Sequence, residues 1–367
     1  MGWQPPKDLT TTFGAPLIFG KPECYMFAQT PTIVYVGDAP GVAPKNRIFQ
    51  LRWENNAWKH KNQSFDAGAP VATFEVRAYV HYAGGTQNVV YLNLNEQNEN
   101  QVHQLYADNS NEWQHNNLTT AVPGGAPFAE HTPTGYEFRH LQHVVYDGTD
   151  KHIYELWQDS NGWHVNDLTN APAVGGAPLT ARVFTPIATQ NIPFLEYGSG
   201  HIHELWWDNS GTWRRSDLTL VSQAPSAGSE PTNYSFWEQA TQHINYAGSD
   251  GHVHELWWDY ENGWQHNDLT YQTGAPLLRS GAVPSGYVFR YEGTQHVVYQ
   301  GGDGIIHELW WDNTGWHHNP LTMGAPDALL AGNDPTGFET TVSVGQGTQR
   351  VIYATRESHV IELKWTP

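Results

Sequence analysis

The chain is nearly without cysteine: Cys24 stands alone among 367 residues. One thiol excludes an intramolecular disulfide framework and a cysteine-based zinc cluster. It leaves two readings, a small apolar core residue or one half of an intersubunit disulfide. No run of about 18 apolar residues occurs. The start, "MGWQPPKDLT", carries neither a basic nor an apolar segment, so the sequence reads as a soluble protein without a classical signal peptide. Positive charge is scarce as well. Lys and Arg total 18 against 37 for Asp and Glu, and the net charge of −19 repels phosphate backbones and anionic membranes. Neither nucleic acid nor membrane insertion is expected. Charged residues make up only 15% of the chain, whereas glycine, proline, tryptophan, tyrosine and histidine abound. This is the profile of a turn-rich, aromatic β protein, not of long helices. No Ser-His-Asp context, P-loop or GxGxxG is present.

What the chain does have is a period. Aligned on one leucine, "IFQLRWE" at Leu51, "VHQLYAD" at Leu105, "IYELWQD" at Leu156, "IHELWWD" at Leu205, "VHELWWD" at Leu256, "IHELWWD" at Leu309 and "VIELKWT" at Leu363 form seven copies. A tryptophan, followed in most copies by DLT or NLT, recurs at Trp3, Trp58, Trp113, Trp163, Trp213, Trp264 and Trp316, and an Ala-Pro pair ends at Pro16, Pro70, Pro127, Pro178, Pro225, Pro276 and Pro326. One complete unit, "GYVFRYEG", "TQHVVYQG", "IIHELWWD" and "GWHHNPLT" (286–322), reads as four short antiparallel strands, A to D. Four strands in about 50 residues is the dimension of a propeller blade. The fold class expected is therefore all-β, a seven-bladed β-propeller forming one domain over residues 1–367. The first ten residues carry only the strand D motif and the last stretch, "ESHVIELKWTP", stops after strand C. The N-terminal strand is thus expected to complete the last blade and shut the ring.

Alternation along strand C puts Ile202, Glu204 and Trp206 on one face and His201, His203, Leu205 and Trp207 on the other. Taken singly, each tryptophan reads as filler of the wedge between blades. The glutamates are harder to place. Glu155, Glu204, Glu255, Glu308 and Glu362 hold the same position, and a carboxylate between packed sheets is costly unless paired or solvated. Lys and Arg are too few to pair each one. In four copies a tryptophan follows on the same face: Trp157, Trp206, Trp257 and Trp310. Such a pair suits a monosaccharide, whose C–H patch stacks on an indole while its hydroxyls bond a carboxylate. The opposite face, with His203, His254 or His307 and Trp207, Trp258 or Trp311, is expected to complete the cleft from the neighbouring blade. A structural hydrogen-bonding role for the glutamates competes on even terms.

Zinc on His201 with His203, or His252 with His254, is set aside: two ligands do not make a site, and Ile305 breaks the pair in an otherwise intact copy. No metal and no cofactor is expected. "DNSGTW" (208–213) comes close to the Asp-box turn of sialidase propellers without matching its order. A glycosidase needs one asymmetric pair of carboxylates, whereas these are repeated around a ring, as in a multivalent binder. No enzyme is expected.

These seven "HxELWW…GW…DLT…GAP" units resemble the seven-bladed propeller lectins of insect-pathogenic Photorhabdus bacteria, and the resemblance covers the whole chain. It implies several non-catalytic sites between blades for fucose or related sugars, with fucosylated or galactose-type host glycans as partners. It also implies homo-oligomeric assembly and action outside the cell. The motif is full at Glu204, Glu255 and Glu308, nearly full at Glu155, and degraded where Gln50 and Arg52, Gln104 and Tyr106, and Glu362 and Lys364 stand. Pro193 is expected to make strand B of the fourth repeat bulge or present itself differently. The alternative function is a propeller scaffold for protein partners, its Trp and Glu repeats purely structural.

Overall fold

A computed structural model describes all residues except 1, 39–44, 170–179, 185–187, 197, 209–210 and 344–345. It is a seven-bladed β-propeller. Six four-stranded antiparallel sheets span residues 17–62, 77–117, 134–167, 182–217, 232–268 and 285–320 (blades 1 to 6). The seventh joins Thr336–Ser343, Gln346–Ala354 and Val360–Thr366 to the N-terminal pieces Gly2–Trp3 and Lys7–Asp8. Gly2 pairs with Thr366 and Asp8 with Ile361, so the expected closure holds. Strand A of each blade touches strand A of the next all the way round, which makes it the innermost strand. No helix of the described residues is long and apolar enough to cross a membrane.

The core is divided into layers, one between each pair of blades. Between blades 3 and 4 it consists of Val145, Ile153, Ile192, Phe194 and Leu205 with their neighbours. Side chains of this kind contribute roughly 1.5–3 kcal/mol each when fully buried. The layers are aliphatic and aromatic, and the strand D tryptophans Trp58, Trp113 and Trp163 are buried in three of them. Of the strand C tryptophans, Trp206 and Trp207 stay half-buried, and Trp207 packs on the layer between blades 3 and 4.

Two repeated motifs turn out to fasten each blade. In the copies at Asp8, Asn117, Asp217 and Asp268 the Asp or Asn is a helix N-cap, its side chain accepting the N–H three residues on, as Asp217 does from Leu220 at 2.9 Å. The leucine is buried, and the threonine hydroxyl accepts an N–H from the start of strand C: Ile202 N–H donates to Thr219 at 2.8 Å and Val253 N–H to Thr270 at 3.1 Å. In five Ala-Pro copies the proline carbonyl accepts from the strand B tyrosine, as in Tyr146 to Pro127 at 2.9 Å and Tyr299 to Pro276 at 2.7 Å, whereas in the copy at Pro326 the tyrosine, Tyr353, donates to Leu329. The copy ending at Pro178 lies outside the described residues.

Two expectations need correction. Pro193 makes no bulge: it pairs with Glu204 in unbroken register. Its carbonyl, and so the side where its N–H would be, faces Thr180, beyond the end of the three-residue strand A, Arg182–Phe184. The ladder to strand C loses nothing. Cys24 sits on the innermost strand of blade 1 and packs on the layer between blades 7 and 1, where burial pushes its thiol well up. That position does not support an intersubunit disulfide.

Candidate functional site

Glu155, Glu255 and Glu308 are almost fully buried, and each is held by the same partners. One oxygen accepts from a strand B histidine, His143, His243 or His296, through Nδ1 at 2.8 Å in every case. The other accepts from a strand D amide: Asn166 and Asn267 at 3.0 Å, Asn319 at 2.9 Å. These imidazole and amide donors offset the cost of the buried carboxylate without a Lys or Arg. Tyr136 and Tyr234 of strand A reach the same carboxylates at 3.4 and 3.2 Å, and they also bond Gln190 and Gln295 of the next blade at 2.8 and 2.9 Å. Burial first, then the adjacent carboxylate, pushes the Tyr136 hydroxyl far above its ordinary value, so it stays a donor. In blade 4, Asn191 replaces the histidine and bonds Glu204 at 3.0 Å.

The tryptophan two residues on stands over this network with one face backed. Trp157 stacks on His164 with ring centroids 4.3 Å apart, and Trp310 on His317 at 4.2 Å. Trp206 carries the Arg214 guanidinium at 4.9 Å. The backing groups are anchored in turn, His164 to Asp159 at 2.9 Å and His317 to Asp312 at 3.1 Å.

Three cavities result, each walled by two blades. Between blades 3 and 4, about 610 Å³ is lined by Glu155, Trp157 and Asn166 on one side and Gln190, Trp207 and Trp213 on the other. Between blades 4 and 5, about 480 Å³ is lined by Glu204 and Trp206 with Gln242, Trp258 and Trp264. Between blades 5 and 6, about 250 Å³ is lined by Glu255 and Trp257 with Gln295, Trp311 and Trp316. The structure thus brings the Glu-Trp pair of one blade together with the second tryptophan of the next. Between blades 6 and 7, Glu308 and Trp310 meet the N-terminal strand, Trp3 Nε1 donating to Glu308 at 3.2 Å.

The structure does not bring the strand C histidines into these cavities. His254 donates to or accepts from His266 at 2.9 Å and lies 3.1 Å from Asp250; His307 repeats this with His318 at 2.9 Å and Asp303 at 3.2 Å. His203 stacks on Phe194. These three share a face with Trp207, Trp258 and Trp311 but lie four residues lower, deep between the sheets. The residues that sequence reasoning missed are the strand B histidines and the strand D asparagines and tryptophans. Their signal was present, in the repeated "QHVVY", "QHINY" and "GWHVN", "GWQHN", "GWHHN".

The degraded clefts are filled from within. Between blades 7 and 1, Arg350 makes an ion pair with Glu362 and lies 5.1 and 5.4 Å over the rings of Trp53 and Trp58. Between blades 1 and 2, Gln50 bonds Gln87 at 3.0 Å. Between blades 2 and 3, Gln104 bonds Tyr79, Asn88 and Gln142. Three side-chain clusters could hold a metal, and none of their members lines the three cavities.

No protein-family model and no curated protein matches the chain. Among solved structures it is similar to a lectin from Burkholderia pseudomallei, with a TM-score of 0.70 at 12% identity over 95% of this chain and 96% of that one. It is also similar to the SapL1 lectin, solved with α-methyl fucoside, with a TM-score of 0.55 at 16% identity over 83% and 97%. The Aleuria aurantia lectin, described as a six-bladed propeller with a novel fucose recognition mode, matches with a TM-score of 0.51 at 14% identity over 79% and 90%. The class these likenesses define is the β-propeller fold.

Proposed function

We propose that the chain is a multivalent, non-catalytic lectin whose sites are the clefts following Glu155, Glu204, Glu255 and Glu308. The observation that carries this reading is the cross-blade cavity: a hydrogen-bonded carboxylate and a backed indole from one blade facing two indoles of the next. It offers apolar ring faces together with a few convergent polar groups, which is what a pyranose needs. Fucose or a related sugar is the ligand favoured, since two of the similar propellers are described with fucose or a fucoside and the repeat resembles the Photorhabdus lectins. Each carboxylate is buried and saturated by protein donors, and the same group recurs round the ring, so none is set apart as an acid or a nucleophile. Single clefts bind weakly, in the millimolar to micromolar range, and the rigid ring gains affinity by engaging several glycan ends at once.

The test is calorimetric titration with methyl α-L-fucoside and a glycan array. Glu255→Ala combined with Trp257→Ala is expected to lower the stoichiometry by one cleft while the ring stays folded. If no monosaccharide or array glycan binds at millimolar concentration, the lectin reading fails and the protein-scaffold alternative takes its place. Binding is expected to persist in EDTA.

A further inference from the structure

The histidine pair set aside as a metal site gains two more ligands when the chain folds. His201 and His203 alternate onto one face of strand C in blade 4. The helix cap Asp217 and the strand B carboxylate Glu196 are brought against them. His201 Nδ1 lies 2.7 Å from Asp217 Oδ2, and His203 Nε2 lies 3.4 Å from Glu196 Oε2 and 3.9 Å from Asp217 Oδ2. Ligand atoms of His201, His203 and Asp217 all fall within 4.8 Å of one another. In a tetrahedral zinc site, metal–ligand bonds of 2.0–2.2 Å put ligand atoms about 3.3 Å apart. The set is therefore close to the required size.

A second observation points to a ligand. His203 is 7% exposed, and its buried Nε2 has only the long contacts to Glu196 and Asp217 and no well-formed hydrogen bond, a state native structures rarely leave unexplained. The carboxylates are also oriented from behind. Asp217 spends Oδ1 on the Leu220 amide and Glu196 spends Oε1 on Arg215; Oδ2 faces the histidines, and Oε2, which also accepts from the Ser199 hydroxyl at 2.8 Å, lies against His203, as supporting contacts do in zinc sites. Blade 5 lacks such an orphan: His254 Nε2 is taken by both oxygens of Asp250. In blade 3 a tyrosine, Tyr154, replaces the histidine and donates to Asp150.

We infer that blade 4 carries a zinc site built from His201 Nδ1, His203 Nε2 and Asp217 Oδ2, with Glu196 Oε2, now in contact with His203 alone, drawn in as the fourth ligand, separate from the glycan clefts. Two nitrogens and two oxygens in a tetrahedron suit Zn²⁺. The site is structural, because all four positions are filled by protein and none is open to substrate. It ties the ends of strands B, C and D together. Arg215, whose Nε lies 3.4 Å from His203 Nδ1, must give up that contact on binding, since Nδ1 then carries the proton, while its Nη2 keeps the bond to Glu196 Oε1.

The test is titration of the chelator-stripped full-length protein with ZnCl2, followed by Co²⁺ substitution. Expected are one tight equivalent per chain, tetrahedral Co²⁺ absorption bands, and a rise in melting temperature with zinc. His203→Ala is expected to abolish the tight equivalent, and Asp217→Asn, which keeps the helix cap, to weaken it about ten-fold or more. His254→Ala is expected to leave it unchanged. Absence of a stoichiometric zinc equivalent, its survival in His203→Ala, or its loss in His254→Ala overturns the assignment.

Discussion

The clefts after blade 5 and blade 7 are built on the same buried glutamate and end in opposite states. Glu255 is held by His243 and Asn267, short side chains that leave about 250 Å³ open beneath Trp257 and Trp311. Glu362 is held by Arg350, whose guanidinium reaches up between Trp53 and Trp58 and occupies the corresponding space. A buried carboxylate needs a donor, and the size of the donor decides whether a cleft remains. The comparison shows that the glutamate is the foundation of the site. The indoles and the vacant volume above it are what a ligand would use.

The largest effect expected is on the filled side. Arg350→Ala leaves Glu362 buried with its charge unpaired and only the Trp58 indole N–H, at 3.3 Å, still donating to it, and a loss of about 3–5 kcal/mol is expected in denaturant unfolding. Arg350→His, which copies the open clefts, should recover part of that loss. If Arg350→Ala unfolds at the wild-type midpoint, the glutamate does not depend on its donor. On the open side, His243→Ala removes one of three side-chain bonds to Glu255, and a loss of about 1.5–3 kcal/mol follows for a bond to a charged group. One cleft should also disappear from the fucoside stoichiometry, while unchanged binding would locate the ligand elsewhere.

A third substitution works in the opposite direction. Asn245 is fully buried, and neither its amide oxygen nor its nitrogen has a hydrogen-bond partner. Valine stands at the matching register in blades 3 and 6, Val145 and Val298. Asn245→Val is expected to stabilise by about 1–2 kcal/mol, read as a higher unfolding midpoint. The smallest effect concerns pH. The Thr314 hydroxyl and amide, then His317, pull the Asp312 carboxyl down to about 2 from 3.8. A group depressed on folding contributes above its unfolded value and loses that contribution as the pH falls through its folded one. The stack of His317 under Trp310 should therefore loosen between about pH 4 and pH 2. The change should show in tryptophan emission and be absent in Asp312→Asn.

Much of this was legible in the chain. Seven copies and a motif split between the two ends were enough for blade number, strand count and closure, because each depends only on counting. Period-two alternation correctly separated Glu204 and Trp206 from His203 and Trp207. What alternation cannot give is height along the strand, and so His203, His254 and His307 were expected in clefts they lie beneath. The partners of the glutamates were hidden for a related reason. His243 and Glu255 are twelve residues apart on neighbouring strands, a separation set by the length of a hairpin and not by any motif. The DLT triplet looked like the end of strand D because it follows that strand's tryptophan. Its second role, capping a helix turn while closing an amide at the start of strand C, needs a contact from about 17 residues upstream, as in Ile202 to Thr219.

Trp3 belongs to two assemblies at once. It pairs with Trp365 in the strand that fastens blade 7, and its indole N–H reaches Glu308 across the seam to blade 6. The clasp of the necklace is set with one of its stones. An affinity tag, a protease nick or a circular permutation at the N-terminus would therefore act on recognition as well as on integrity, and counting bound sugars would report it before any melting curve did.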